Sequence, residues 1–84
     1  MEKIVSAAIR DKKGNVHVLP APAHHKQLMA WLNKEGHSDK DVVKGFWTSD
    51  ERFVGRLQGA RIARRAGQAT TLRFDPELHC GDMW

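Results

Sequence analysis

The sequence contains a single cysteine, no long hydrophobic segment and no low-complexity tract. Because Cys80 has no second cysteine to pair with, an internal disulfide is excluded, and a lone thiol is typical of proteins from a reducing compartment. No apolar run approaches the roughly 18 residues that a membrane-spanning helix needs. Residues 1–6 are too few and too mixed in polarity to form a secretory signal. We therefore expect a cytoplasmic protein that does not cross a membrane.

The short motifs that accompany catalysis and metal binding are also missing. The sequence has no phosphate loop of the Walker type and no nucleophile placed beside a base. The candidate metal ligands, His24, His25, His37, His79 and Cys80, form neither a C-x-x-C nor an H-x-x-x-H pattern. We expect a protein that is not an enzyme, holds no metal and needs no cofactor.

Positive charge is in excess, with 14 Lys and Arg against 10 Asp and Glu, which gives a formal net charge of +4. Such an excess favours anionic partners such as nucleic acid, nucleotides or acidic proteins, although a solvated basic surface has the same composition. The 84 residues predict one domain over residues 1–84. A domain of this size buries only a modest core, so we expect oligomerisation to support it.

Hydrophobic periodicity predicts an α+β fold, with a small antiparallel sheet in β-β-α-β-β-α-β order and two short helices. Leu28, Trp31 and Leu32 form one apolar stripe of the first helix, and Gly45 indicates a bulge or a close backbone approach within a strand. The predicted strands are Lys3–Arg10, Val16–Leu19, Val42–Thr48, Arg52–Val54 and Ala69–Phe74, and the predicted helices are Ala23–Glu35 and Arg56–Ala66.

Histidines and aromatic residues supply the first candidate site. His24 and His25 lie at the predicted start of a helix, where free backbone N–H groups attract anions; alternatively they are two exposed residues of a first turn. Phe46 and Trp47 are neighbours on a strand, so their side chains point to opposite faces. One of the rings can stack on a base, an interaction worth about 1–3 kcal/mol. Alternatively, one ring is core and the other is interface.

Arginines supply the remaining candidates. Arg52 and Arg56 flank a short strand that should return beside Phe46, where their guanidinium groups suit phosphate oxygens. Alternatively they pair with Asp50 and Glu51. A second set, Arg61, Arg64 and Arg65, has the spacing of residues on one side of a helix. These arginines could bind along a phosphate backbone, form a positive ring in an oligomer or simply be solvated.

Three segments of the chain resemble a known family of short phage and prophage proteins. They read IVSAAIRDKKGNVHVLPAPAHH, GFWTSDERFVGRLQGARIARRAGQ and ELHCGDMW. They are similar to the first type of Thoeris anti-defence protein, a nucleotide sponge. Members of that family sequester the cyclic ADP-ribose isomer that a bacterial TIR-domain enzyme makes on infection, and some also bind cyclic oligonucleotides at separate sites. The resemblance implies the same role in the host cytoplasm.

The block Gly45–Gln68 carries the most specific part of this resemblance. It implies that Phe46 stacks on the base of the ligand, and that Thr48 and Arg56 hold riboses and phosphates. Glu51 and Gly55 depart from the family pattern, in which the turn has a glycine and the residue before the arginine is acidic or an amide. The predicted ligand-binding residues are His24, His25, Phe46, Thr48, Arg52 and Arg56.

A chain this small cannot enclose a dinucleotide alone, so we expect a site shared between protomers of a homodimer or of a hexamer built from dimers. Three other functions stay open at this point. One is a small nucleic-acid-binding protein that uses Arg61, Arg64 and Arg65. Another is a phage inhibitor that binds a host defence protein directly through the surfaces of its tryptophans, Trp31, Trp47 and Trp84. The third is a nucleotide hydrolase.

Overall fold

A four-stranded antiparallel sheet and two helices form the fold in a computed structural model that describes residues 1–84. The strands are β1 (Ile4–Arg10), β2 (Val16–Val18), β3 (Val43–Thr48) and β4 (Phe53–Gly55), and they lie in the order β2-β1-β3-β4. The helices are α1 (His25–Lys34) and α2 (Arg56–Arg65), and single 3₁₀ turns occur at Asp39–Asp41 and Cys80–Asp82. The predicted α+β class is confirmed. Neither helix is long and apolar enough to cross a membrane.

The central strand β1 is covered on both faces, as its small and apolar residues predict. Ala7, Ala8 and Ile9 are fully buried. The simple alternation expected along this strand is interrupted, because the register with β3 shifts between Ile4 and Ser6. The extra residue at this irregularity, Val5, is exposed, and Ile4 is returned to the same hydrophobic cluster as Ala7.

Both helices pack on one face of the sheet. Ala7 and Ile9 lie two residues apart on β1 and therefore share this face. Ala7 belongs to the larger hydrophobic cluster with Phe46 of β3 and Ala63 of α2. Ile9 belongs to the smaller cluster, which it forms with three residues of α1, Leu28, Met29 and Leu32. The opposite face carries Trp47 and Phe53, which pair across β3 and β4.

Two glycines allow close contacts that a side chain would prevent. A Cβ on Gly45 would lie 2.2 Å from the carbonyl oxygen of Val54, so the close backbone approach predicted at this position is correct. A Cβ on Gly59 would lie 3.1 Å from a ring carbon of Phe46. The small face of α2 therefore lets the helix lie directly on the sheet.

The predicted last strand, Ala69–Phe74, does not form. The segment makes one isolated bridge, between Phe74 and Glu77, and follows an irregular path on which Ala69 and Leu72 enter the core. The backbone of Ile4 in β1 is paired instead by the side chain of Gln68. The amide of Gln68 accepts the N–H of Ile4 and donates to its carbonyl oxygen, both at 2.8 Å. A side chain thus satisfies the backbone groups that another strand would have paired.

Replacement of Phe46 by alanine should destabilise the protein strongly. The ring is fully buried in the larger cluster, and removing such a ring costs about 3–5 kcal/mol. Urea denaturation measures the loss. Leu57→Ala is the control, since Leu57 is exposed on α2 and its truncation should change stability by no more than about 0.5 kcal/mol. A Phe46→Ala protein as stable as the wild type would contradict the packing described here.

Candidate functional site

The ring of Phe46 has no free face on which a base could stack. It is fully buried, is covered by Gly59 of α2, and makes an edge contact with His25 at a centroid distance of 5.2 Å. None of the four cavities of the protein is lined by this residue. The stacking role predicted for Phe46 is therefore wrong in this structure, because the small face of α2 seals the ring. The predicted opposition of the two rings is correct, since Trp47 lies half-buried on the other face of the sheet.

Thr48 and Arg52 are engaged by a carboxylate of the same chain. The Thr48 hydroxyl donates to Glu2 at 2.6 Å, and the Arg52 guanidinium donates to both oxygens of Glu2 at 2.7 and 2.8 Å. Hydrogen bonds from Arg52 and then Thr48 lower the pKa of Glu2 to about 2. The partner of Arg52 is therefore Glu2 rather than Asp50 or Glu51. This cluster holds residue 2 against the β3–β4 hairpin and leaves neither predicted residue free for a phosphate.

His25 is a buried structural residue whose two ring nitrogens both have partners. Its Nε2 lies 2.6 Å from the carbonyl oxygen of Gly45, which only accepts, so Nε2 carries the proton. Its Nδ1 then accepts from the thiol of Cys80 at 2.8 Å. Desolvation lowers the pKa of His25 to about 4, and burial raises the pKa of the Cys80 thiol. Both groups are therefore neutral at pH 7. They join α1 to β3 and to the closing segment of the chain, residues 78–84.

The region around His25 has a positive electrostatic environment. After desolvation, the positive charges of Arg56 and Lys44 contribute to the lowered pKa of His25. The charge of Lys44 is partly balanced, because its Nζ lies 3.8 Å from a carboxylate oxygen of Asp39. Both helices also begin here, because His25 contacts Gly45 and Gly45 pairs with Gly55, the residue that precedes α2. Helix N-termini carry partial positive charge. Arg56 adds a buried Nε that has no hydrogen-bond partner.

An open cleft of about 660 Å³ lies beside the first turn of α1. The indole N–H of Trp84 donates to the carbonyl oxygen of Ala23 at 3.0 Å, and His24 Nε2 lies 2.7 Å from the carbonyl oxygen of Trp84. These bonds hold a partly exposed indole next to the ammonium group of Lys26. The lining residues are Pro22, His24, Lys26, Gln27, Ala30 and Trp84. Of the predicted ligand-binding residues, the structure places only His24 in this cleft.

Two lining residues of this cleft, Lys26 and Trp84, were not predicted from the sequence as ligand-binding residues. Lys26 adjoins the His24-His25 pair, and that proximity is the only sequence signal that points to it. Trp84 is distant from Lys26 in the sequence, and no sequence pattern links the two residues. A second hollow of about 440 Å³ continues along α1 and shares Lys26 and Ala30 with the cleft. Lys44 lines this second hollow.

Arg61, Arg64 and Arg65 of α2 are exposed, but they are not equivalent. Arg64 donates to Asp75 at 2.9 Å, so its charge is partly balanced. Arg61 lines a separate hollow of about 310 Å³ together with Leu57 and Pro76. The predicted second anionic surface is therefore reduced to Arg61 and Arg65, neither of which forms an ion pair.

The stability of the protein should fall as the pH decreases from 6.5 to 4. The pKa of His25 is about 4 in the folded state and 6.5 as a free side chain, so the unfolded chain binds the proton first. The neutral form contributes about 2–3 kcal/mol of stability, fully present above pH 6.5 and lost progressively toward pH 4. Urea midpoints measured across this range test the expectation.

His25→Gln is the control for this pH dependence. Its midpoint should be lower at pH 7 but should change little between pH 5 and 6.5, because the titrating group is gone. Glu2 and Asp11 have a folded-state pKa of about 2 and free values of 4.5 and 3.8, so they begin to lose their contribution below about pH 5, and the two proteins are compared between pH 5 and 6.5. If the wild-type midpoint were flat across this range, or if the variant kept the wild-type slope, His25 would not be the buried neutral group.

Comparison with known proteins identifies the family. The protein family described as phage T4 y16D protein matches residues 3–84, which is nearly the whole chain. No curated protein and no solved structure matches the sequence. Because the match spans both helices, all four strands and the closing segment, the chain belongs to the phage T4 y16D protein family.

Proposed function

We propose that this phage-family protein captures an anionic nucleotide-type immune signal, without cleaving it, in the cleft beside α1. The observation that carries the proposal is the placement of Trp84, Lys26 and His24 around one cavity at a helix N-terminus. The resemblance to Thoeris anti-defence proteins supports a ligand of the cyclic ADP-ribose type, or a cyclic oligonucleotide. Sequestration of such a signal in the host cytoplasm would block TIR-based defence.

Each part of such a ligand has a matching group in the cleft. The indole of Trp84 offers a planar surface for adenine, and stacking of this kind is worth about 1–3 kcal/mol. The ammonium of Lys26 supplies a point charge for a pyrophosphate, and the first turn of α1 adds its dipole. Lys44 and Arg56 strengthen the positive potential nearby. The stacking role that the resemblance implied for Phe46 is thus assigned to Trp84.

The residues of the cleft favour capture over turnover. None of the six lining side chains carries a carboxylate or a hydroxyl nucleophile. The one ionisable ring, His24, is within hydrogen-bond distance of the carbonyl oxygen of Trp84. Acid–base catalysis needs a group within reach of the reacting proton and free to exchange it. A site built of an aromatic ring and cations therefore supports a binding protein.

The cleft is open on one side, so a second copy of the chain would be needed to surround the ligand. The exposed face of the sheet lies on the side away from α1, so it can join further copies into a larger assembly but cannot itself close the cleft. Val18 and Val43 are exposed there and Trp47 is half-buried, which makes this face more apolar than a solvated sheet surface needs to be. We propose a homodimer, or a hexamer built from dimers, as the form that captures the ligand.

The proposal is tested by capture of defined compounds. The protein is incubated with a panel of cyclic ADP-ribose isomers and cyclic oligonucleotides, separated from free ligand and then denatured. The expected result is release of one class of compound with its mass unchanged. Lys26→Glu should weaken the affinity at least tenfold by removing a cation and adding a repelling charge.

Lys34→Glu is the matched control, because it makes the same charge change on the same helix outside the cleft. It should bind the ligand like the wild type. Retention of no compound from the panel would refute the proposed capture, and equal affinity of the Lys26→Glu and wild-type proteins would refute the proposed site. A released product of altered mass would indicate the hydrolase instead.

A second candidate function is nucleic-acid binding through α2, favoured by the exposed and unpaired Arg61 and Arg65. Binding dominated by phosphate contacts weakens steeply with salt. A gel shift that disappears at moderate salt and is weakened by Arg61→Glu, but not by Lys26→Glu, would support this alternative. Direct inhibition of a host defence protein would appear as stable co-purification that depends on an exposed aromatic residue such as Trp31.

A further inference from the structure

Three side chains with metal-ligating atoms converge at the end of the sheet where β1 turns into β2. They are Asp11 at the end of β1, His17 in β2 and His37 in the loop after α1. The ligand atoms of all three lie within 4.8 Å of one another. Asp11 is buried and both histidines are half-buried. None of the three lines the cleft beside α1.

We propose that Asp11, His17 and His37 form a binding site for a divalent transition metal ion of the zinc class. Two imidazole nitrogens and one carboxylate oxygen suit zinc, cobalt or nickel far better than calcium or magnesium, which prefer oxygen ligands. Three protein ligands leave a coordination position open for water or a small ligand. The donor set therefore resembles an open site rather than a closed structural one.

The carboxylate of Asp11 is held in place for this role. Its Oδ1 accepts the backbone N–H groups of Lys13 at 2.9 Å and of Asn15 at 3.0 Å. These bonds direct Oδ2 toward His17, whose Nε2 lies 2.8 Å away. Metal-binding carboxylates are commonly fixed by such hydrogen bonds on the oxygen that does not bind the ion.

The spacing of the donors fits a metal after a small adjustment. Two ligand atoms on a tetrahedral zinc ion, each bound at about 2.0–2.1 Å, lie about 3.3 Å apart. The separation of 2.8 Å between Asp11 and His17 must widen slightly, and His37 must move closer. The metal replaces the hydrogen bond between Nε2 and Oδ2, and the neutral imidazole of His17 then carries its proton on Nδ1. His37 lies in a loop, which allows this movement without disturbing the sheet.

The surroundings of His17 provide a reporter for metal binding. Its ring lies 5.7 Å from the ring of Trp31 and 5.9 Å from that of His37. An apolar hollow of about 200 Å³ adjoins it and is lined by His17, Val18, Leu19, Leu28 and Trp31. A paramagnetic ion at this position would quench the fluorescence of Trp31, and the Trp31→Phe protein would lose that part of the signal.

The experiment is a titration of the full-length, chelator-treated protein with Co²⁺, followed by displacement with Zn²⁺. The expected result is one Co²⁺ per chain, with the visible absorption of a four- or five-coordinate ion, lost on addition of Zn²⁺. His37→Ala should weaken binding at least tenfold, and its circular dichroism and metal-free melting temperature should match the wild type. Asp11→Asn, which keeps an oxygen for the two backbone N–H groups, should also weaken binding.

His79→Ala is the matched control, because His79 is half-buried and belongs to a different part of the fold. It should bind Co²⁺ like the wild type. Failure of the wild-type protein to bind Co²⁺ at millimolar concentration would overturn the proposal. So would equal binding by the wild-type and His37→Ala proteins, which would place the ion at other residues.

Discussion

The hydrogen bonds of the neutral His25 imidazole hold together the parts of the molecule on which the candidate cleft depends. One nitrogen fixes the start of α1 to Gly45 of β3, and the other fixes it to Cys80 of the closing segment. Trp84 follows shortly after Cys80 and reaches the first turn of α1 through its own bond to Ala23. The position of the indole over the cleft is therefore set by a buried pair of uncharged groups and by the packing around it.

Neutrality is what makes this arrangement compatible with the cations around it. A protonated His25 would add a buried charge beside Arg56 and Lys44, which already repel it. In the neutral form, the histidine makes its two structural hydrogen bonds without adding to that charge. The same physical effect, desolvation next to positive charge, thus determines the stability of the region and underlies the anion preference that we propose for it.

Much of the fold could be predicted from the sequence because its signals are local. The small and apolar residues of β1, the short alternating segment of β2 and the apolar stripe at Leu28 each indicated the correct element. The last predicted strand did not form. The side chain of Gln68 satisfies the backbone of Ile4, and Ala69 and Leu72 enter the core from an irregular path.

The site was less predictable because it depends on contacts between distant segments. Neighbouring side chains on a strand point to opposite faces of the sheet, and this prediction was correct for Phe46 and Trp47. The sequence does not say which of the two faces α2 covers. The partner of Arg52 proved to be Glu2, a residue 50 positions away. The meeting of Asp11, His17 and His37 follows no short motif, since it requires the hairpin and the loop after α1 to lie side by side.

The side-chain amide that completes the backbone of Ile4 also limits how copies of this protein can associate. A strand edge with unpaired N–H and C=O groups can pair with a strand of another copy, and repeated pairing of this kind leads to aggregation. Here one end of β1 is blocked by Gln68, while the outer strands β2 and β4 offer only three residues each and β4 runs directly into a helix. Self-association must then proceed through surfaces rather than through a continuous sheet, which favours closed assemblies of fixed size over fibres.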